Sequence, residues 1–445
     1  GGLASTLRQR LPIDIDVSEA VETISASSSD SGLDQDANLP PFTPPSYTQK
    51  DLFNAIPAHC WDRSALRSFS YVFADLIMIA ANVYAASFID PAFGFEGKTV
   101  LNGWAGVAAK WALWSVYWTT CGWNFVGIWI LAHECGHQAF STSKALNNAT
   151  GLVLHSLVLV PFHSWRISHS KHHAATGHMN REEVFVPSTR SQKVGDKAPR
   201  RKVHMSGMDL DELLEDAPIY RLYHILIQQL FGWPAYLIKN ASGQEFYPKW
   251  TNHFDPRSLL FDARHRNQIL LSDLGLAVVI AGLSVFGHYH GFAAVVKYYG
   301  IPYLAVNHWL VMITYLQHTD PNLPHYRAGE WTFPRGALCT IDRNMLGPVG
   351  PYLMHGICET HISHHISSKI PHYHAWEATE ALKTYLGPYY TSTDENMFVS
   401  LWKNYGSCRF VEDEGEVVFY KDAYGRAARS VVMEGVPSDS GVDVQ

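Results

Sequence analysis

Four long apolar stretches organise the chain: Phe69 to Ile89, Trp104 to Ala132, Ile269 to Phe286 and Phe292 to Leu316. Asp75 is the one charged residue in the first, and Lys110 the one in the second. A helix of about 20 apolar residues crosses a hydrocarbon core. The pattern therefore predicts four transmembrane helices, near 69–89, 104–132, 269–286 and 292–316. Gly151 to Phe162 is too short to span and reads as re-entrant or interfacial. Tyr223 to Ile238 carries Gln228, Gln229 and Pro234 and reads as a helix lying on the membrane surface. Residues 1–46 are polar and acidic, with Ser27-Ser28-Ser29 and the run Pro40-Pro41-Phe42-Thr43-Pro44-Pro45, and read as a flexible tail. The last dozen residues, near Ser438 to Gln445, read the same way. The expected division is a tail over 1–46, a membrane domain over 47–392 and a C-terminal cytosolic segment over 393–445 with a flexible end. The fold class is an all-α integral membrane protein with about four transmembrane helices, interfacial helices and a cytosolic cap.

Charge orients these helices. Between His163 and Arg221 lie Arg166, Lys171, Arg181, Arg190, Lys193, Lys197, Arg200, Arg201 and Lys202, whereas the loop from Asp90 to Gly103 holds one lysine. The positive-inside rule puts the large central loop in the cytosol, and with four spans both termini join it.

Composition narrows the class. Of 445 residues, 47% are hydrophobic, 13% aromatic and only 17% charged, against an average of about 25% charged. Disordered, collagen-like and coiled-coil chains are excluded. The net charge of −7 and the lack of a basic stripe point away from nucleic acid. A mean hydropathy of −0.08 fits membrane helices diluted by polar tails and a cap. The six cysteines form no C-x-x-C pair and are expected to be reduced thiols in a cytosol-facing protein. The first residues lack the pattern of a signal peptide. The sequence opens on Gly1-Gly2 rather than Met, which reads as a missing native start.

The chemistry lies in the 24 histidines, which cluster. His133-Glu134-Cys135-Gly136-His137 ends the second apolar stretch, and its spacing of four puts both imidazoles on one helix face. His169-Ser170-Lys171-His172-His173 and His361-Ile362-Ser363-His364-His365 share spacings of three and four. All eight fall on the cytosolic side, at or just beyond helix ends. Imidazole is the commonest neutral nitrogen ligand for iron, zinc, copper and nickel. Eight or nine such ligands suit two metal ions better than one. The first cluster also matches the H-E-x-x-H pattern of zinc proteases, a reading that leaves the other two clusters unexplained.

With these motifs the chain resembles the membrane fatty acid desaturases that carry three histidine boxes, most closely the delta-12 (omega-6) and omega-3 branch of fungi and plants. The resemblance runs from about Tyr47 to about Tyr390. It includes Ala55-Ile56-Pro57-Ala58-His59-Cys60, Tyr315-Leu316-Gln317-His318-Thr319-Asp320-Pro321, Pro324-His325-Tyr326, Arg335-Gly336-Ala337 with Asp342-Arg343, and Ile370-Pro371-His372-Tyr373-His374-Ala375. It implies a di-iron centre with His133, His137, His169, His172, His173, His361, His364 and His365 as ligands and His318 as a further ligand outside the boxes. His163, His178, His325, His355 and His372 are candidate partners of those ligands. Glu134, Asp320 and Glu359 are candidates to orient ligand imidazoles.

An unactivated methylene has neither an acidic proton nor an electrophilic carbon, so its oxidation calls for a redox metal. The resemblance implies two iron ions, dioxygen as co-substrate, and insertion of a cis double bond at delta-12 of an oleoyl chain to give linoleoyl. The chain lacks a His-Pro-Gly-Gly haem signature and a glycine-rich dinucleotide fingerprint. Electrons are thus expected from a separate cytochrome b5 and its NADH-dependent reductase, with Arg200-Arg201-Lys202 a candidate docking run, or simply a solvated one. Trp111, Trp114, Trp118 and Trp123 are candidates to line an acyl tunnel, with plain packing the blander reading. An endoplasmic reticulum membrane location, contact with membrane lipids and a homodimer complete the expectations. Omega-3, bifunctional delta-12/omega-3, acetylenase and hydroxylase activities on the same scaffold remain alternatives, as does a non-enzymatic histidine-rich membrane receptor.

Overall fold

The computed structural model describes residues 39–93, 103–194 and 217–433. The tail before residue 39, the run Arg200-Arg201-Lys202 and the last dozen residues lie outside the described residues.

The architecture is helical. Helices α1 (Ala65–Ala86), α2 (Gly103–Gly136), α3 (Lys144–Leu157), α4 (Phe162–Ala175), α5 (Pro218–Lys239), α6 (Arg266–His290) and α7 (Ile301–His318) are followed by α8 (His361–Ile366), α9 (His372–Leu386) and α10 (Met397–Ser407). Side chains that cap backbone N–H groups set several of the starts. Ser64 accepts from Arg67 at α1, Ser143 from Leu146 at α3, and Asn396 from Phe398 and Val399 at α10.

All four predicted stretches are helical, but they differ in what they face. Ala65–Ala92 and Ala263–His290 are long and apolar enough to cross a membrane, and their outer faces are bare: Phe73, Ile77, Leu274 and Val278 are each at least 59% exposed. The helix α2 runs for 34 residues, about 51 Å at 1.5 Å per residue. Its second half, from Cys121 to Cys135, lies almost wholly buried between α1, α3 and α7. Gly122 permits the approach to α7, since a Cβ there would stand 2.6 Å from that of Ala305. The fourth stretch is broken by a π-helical turn at Val296–Gly300 before α7 begins. The segment around Gly151 to Phe162 is a sharp bend, with α3 and α4 meeting at 107°. Counted as one broken span, that pair raises the number of candidate spans among the described residues from two to three. The predicted surface helix is α5, which buries Ile225, Trp233 and Tyr236 against its neighbours and exposes Ile219, Tyr223 and Phe231.

One boundary differs from expectation. Residues 39–46 fall within the expected flexible tail, yet β1 (Pro41–Phe42) pairs in parallel with a strand at Ser430–Val431. Phe42 is buried edge-on against Phe419, and the Arg335 guanidinium donates to the Pro45 carbonyl. Proline richness sets backbone stiffness, not the fate of an aromatic that finds an apolar partner. The C-terminal segment is also built in: Val417–Phe419 pairs antiparallel with Pro324–Tyr326, and α10 packs on α7.

Candidate metal centre

Four helix ends converge beneath the apolar helices. The end of α2 carries His133 and His137, α4 carries His169, His172 and His173, the end of α7 carries His318, and α8 carries His361, His364 and His365. The nine side chains sort into two adjacent groups. His133, His137, His169, His173 and His364 bring one nitrogen each within 4.8 Å of all the others, and His172, His318 and His365 do the same. His361 joins the second group, with its Nε2 at 3.0 Å from that of His318. The rings of His173 and His365 stack at 4.1 Å where the groups meet.

Within the first group the Nε2 atoms form a chain: His137 to His133 at 3.2 Å, His133 to His169 at 3.0 Å, His169 to His173 at 3.1 Å and His173 to His364 at 3.2 Å. A ring nitrogen holds either one hydrogen or one in-plane lone pair. Five atoms in such a chain can satisfy at most two of the four contacts as hydrogen bonds. A cation among them resolves the conflict. Imidazole nitrogens about 2.1 Å from one ion and at right angles lie about 3.0 Å apart, which matches the spacing found. Burial above all, reinforced by neighbouring imidazoles, holds His361 and His365 well below the ordinary imidazole value and His364 at about 3. Neutral imidazoles are the form that binds metal. The residues present therefore fit a pair of metal ions.

The groups that orient the imidazoles are not those expected. Glu182 accepts from His172 Nδ1 at 2.6 Å, leaving the other ring nitrogen free to face the centre. The Glu182 carboxylate is itself fixed by the backbone N–H groups of Gly177, Glu183 and Val184. The Thr176 hydroxyl meets His365 Nδ1 at 3.2 Å, and His365 Nε2 is buried with no hydrogen-bond partner among the described residues. No sequence signal marked Glu182, because a turn rather than a helical spacing returns it to His172.

Among the described residues, none of the three expected carboxylates meets a box imidazole. Glu134 accepts from the backbone N–H of His372, Asp320 pairs with Arg343 at 2.5 Å, and neither oxygen of Glu359 has a hydrogen-bond partner among the described residues. The Asp320–Arg343 pair is buried, and Arg343 also donates to the Leu316 carbonyl, so it clamps the end of α7 that carries His318. Among the five outlying histidines, His355 pairs with Asp75 and His372 with Glu134, while His178 accepts from the backbone of Asn180. The backbone of His163 donates to Ser272, and His325 packs edge-on against Tyr420. Among the described residues, none of the five hydrogen-bonds a box histidine.

A cavity of about 450 Å³ opens onto the centre. His133, His169, His172, His318 and His361 form one wall, and Trp129, Trp165, Trp233, Leu310 and Ile313 are among the rest. The four tryptophans proposed from sequence do not line it. Trp114 is fully buried and stacks on Trp118, Trp118 donates to the Lys297 carbonyl, Trp123 packs against Trp309, and Trp111 is half exposed. Trp111, Trp114 and Trp118 precede the buried half of α2, and Trp123 stands at its beginning, ahead of the Trp129 turn that reaches the histidines.

Apolar helices with bare outer faces above nine clustered histidines, whose donor atoms fit metal ions, mark a helical membrane protein with a candidate metal centre. Residues 109–396 match the family model described as Fatty acid desaturase, and residues 5–84 match a Domain of unknown function (DUF3474). The chain belongs to the fatty acid desaturase family. It is 49% identical over 380 residues to a Delta(12) fatty acid desaturase of Mortierella isabellina, covering 85% of this chain and 91% of that one. The Mortierella alpina protein of the same description is equally similar. An Oleate hydroxylase FAH12 of Claviceps purpurea is 40% identical over 419 residues, covering 88% and 84%.

Proposed function

We propose that this chain is an oxygen-dependent acyl-lipid desaturase that introduces a cis double bond at delta-12 of an oleoyl chain. The observation that carries the reading is a nine-histidine centre walling an apolar cavity, in a chain 49% identical to the Mortierella delta-12 desaturases. His133, His137, His169, His173 and His364 hold one iron, and His172, His318, His361 and His365 hold the other. Bound there, the irons supply the redox chemistry that an unactivated methylene requires, with dioxygen as co-substrate.

The chain's own residues prepare the reaction. Glu182 keeps the His172 Nδ1 proton in place and so fixes which ring nitrogen faces the ion. The Asp320–Arg343 clamp holds His318 in reach of His361. Trp129, Trp165, Trp233, Leu310 and Ile313 give the cavity the aromatic and aliphatic walls that suit an acyl chain. Loss of two hydrogens from adjacent carbons, with one dioxygen, two electrons and two protons, gives the double bond and two waters. The electrons come from cytochrome b5 and its NADH-dependent reductase. The protein is a multi-pass enzyme of the endoplasmic reticulum membrane, with four spans and the metal centre and termini in the cytosol.

The Claviceps relative favours one second reading, hydroxylation of the same acyl chain. Expression in a host rich in oleate, followed by gas chromatography of its fatty acids, separates the two. Linoleate is the expected new acid. A hydroxylated C18 acid would replace the first reading by the second, and alpha-linolenate appearing only when linoleate is fed would move the activity to omega-3.

A further inference from the structure

Two segments that carried the family resemblance, Ala55 to Cys60 and Ile370 to Ala375, meet at a surface away from the nine histidines. His59 sits in a 3₁₀ turn at Ala58–Trp61, just ahead of α1. His374 lies in the first turn of α9, and Glu377 follows three residues later on the same face. His59 Nε2 stands 2.8 Å from Glu377 Oε2, and one donor atom from each of the three residues lies within 4.8 Å of the others. The rings of His59 and His374 approach edge-on at 5.8 Å. Half of each of the His59 and Glu377 side chains is open to solvent, so an ion has access.

We propose that His59, His374 and Glu377 form a separate surface site for a divalent transition-metal ion of the zinc type. It fastens the segment ahead of the first apolar helix to the helix behind the third histidine box. Two imidazoles and a carboxylate, with water in the fourth position, are an established donor set for zinc. Imidazole nitrogen selects zinc or copper over magnesium and calcium, which prefer oxygen. Burial, then Arg67 and His59, hold the His374 imidazole below its ordinary value, so its lone pair is available at neutral pH. The Arg67 guanidinium is itself engaged 4.1 Å over the Tyr373 ring. Without an ion the same three residues keep the His59–Glu377 hydrogen bond and the edge-on contact of the two rings.

The test is zinc titration of the purified, iron-loaded enzyme, with zinc and iron counted after desalting. One tightly held zinc per chain is expected, with iron and desaturation unchanged. His374→Gln, which leaves the His59–Glu377 hydrogen bond intact, is expected to lose that zinc and keep its iron. His59→Gln repeats the test if the first variant loses iron as well. The site is overturned if the wild type holds no zinc, if zinc enters only by displacing iron, or if an iron-replete variant keeps its zinc.

Discussion

The second and third histidine boxes have the same spacing and are held in place by different means. His169, His172 and His173 lie near the end of a 14-residue helix, α4, and His172 is oriented by a buried carboxylate. His361, His364 and His365 occupy a six-residue helix, α8, too short to hold itself. There the Asp342 carboxylate accepts from the Ile362 backbone N–H and from the Tyr390 hydroxyl, and burial pushes it up to about 7. Each box serves both histidine groups. His169 and His173 face the first and His172 the second, whereas His364 faces the first and His361 and His365 the second. A spacing of three and four thus serves to straddle two sites, and how each box is anchored is a separate matter of tertiary structure.

Substitutions that strike one box and spare the other test this contrast. His172→Ala removes a nitrogen from the three-plus-one group and is expected to abolish product, a loss beyond the roughly 100-fold reached by residues that only support a ligand. The measurement is linoleate formed, with membrane insertion checked alongside. Lowering the pH acts on both boxes together. Imidazoles held below their ordinary value when folded take up protons near 6.5 once released. Their contribution is complete above about 6.5 and fades as pH falls, because the released state then binds more protons. Metal retention is therefore expected to decline together at both groups between about pH 7 and pH 5, read as iron content after dialysis.

Glu182→Gln strikes the second box alone and is expected to cost about 10- to 100-fold in activity or in metal affinity. Asp342→Asn is the matching change at the third box. It keeps one acceptor but turns an amide toward Tyr390, with an expected cost of about 1 kcal/mol in stability and less than about tenfold in activity. If Asp342→Asn proves worse than Glu182→Gln, the short helix depends on its tether more than the long helix does on its carboxylate. The smallest effect is expected from Thr176→Val, which removes the hydroxyl beside His365: about 1 kcal/mol or less, seen as a modest fall in thermal midpoint.

The boxes were legible because helical spacing is local, and His318 because it ends an apolar helix within a recognisable motif. The sorting of nine histidines into two groups was not legible, since it depends on four helix ends meeting. Glu182 was hidden by a turn, and the three carboxylates next to the motifs drew attention by proximity in sequence alone. The apolar run of α2 reads as a transmembrane helix, and what its sequence does not show is that the second half faces protein, because hydropathy does not distinguish lipid from a protein interior. Of the two readings of Trp111, Trp114, Trp118 and Trp123, plain packing is the one the structure shows, and Trp129, Trp165 and Trp233 wall the cavity instead.

The central claim is that nine histidines hold two metal ions in groups of five and four. Iron analysis of the purified enzyme, quantified per chain, tests it most directly. The account predicts about two irons per chain in the wild type and about one in His172→Ala, with the five-histidine group still filled. A single ion per chain in the wild type, or zinc in place of iron, would contradict it.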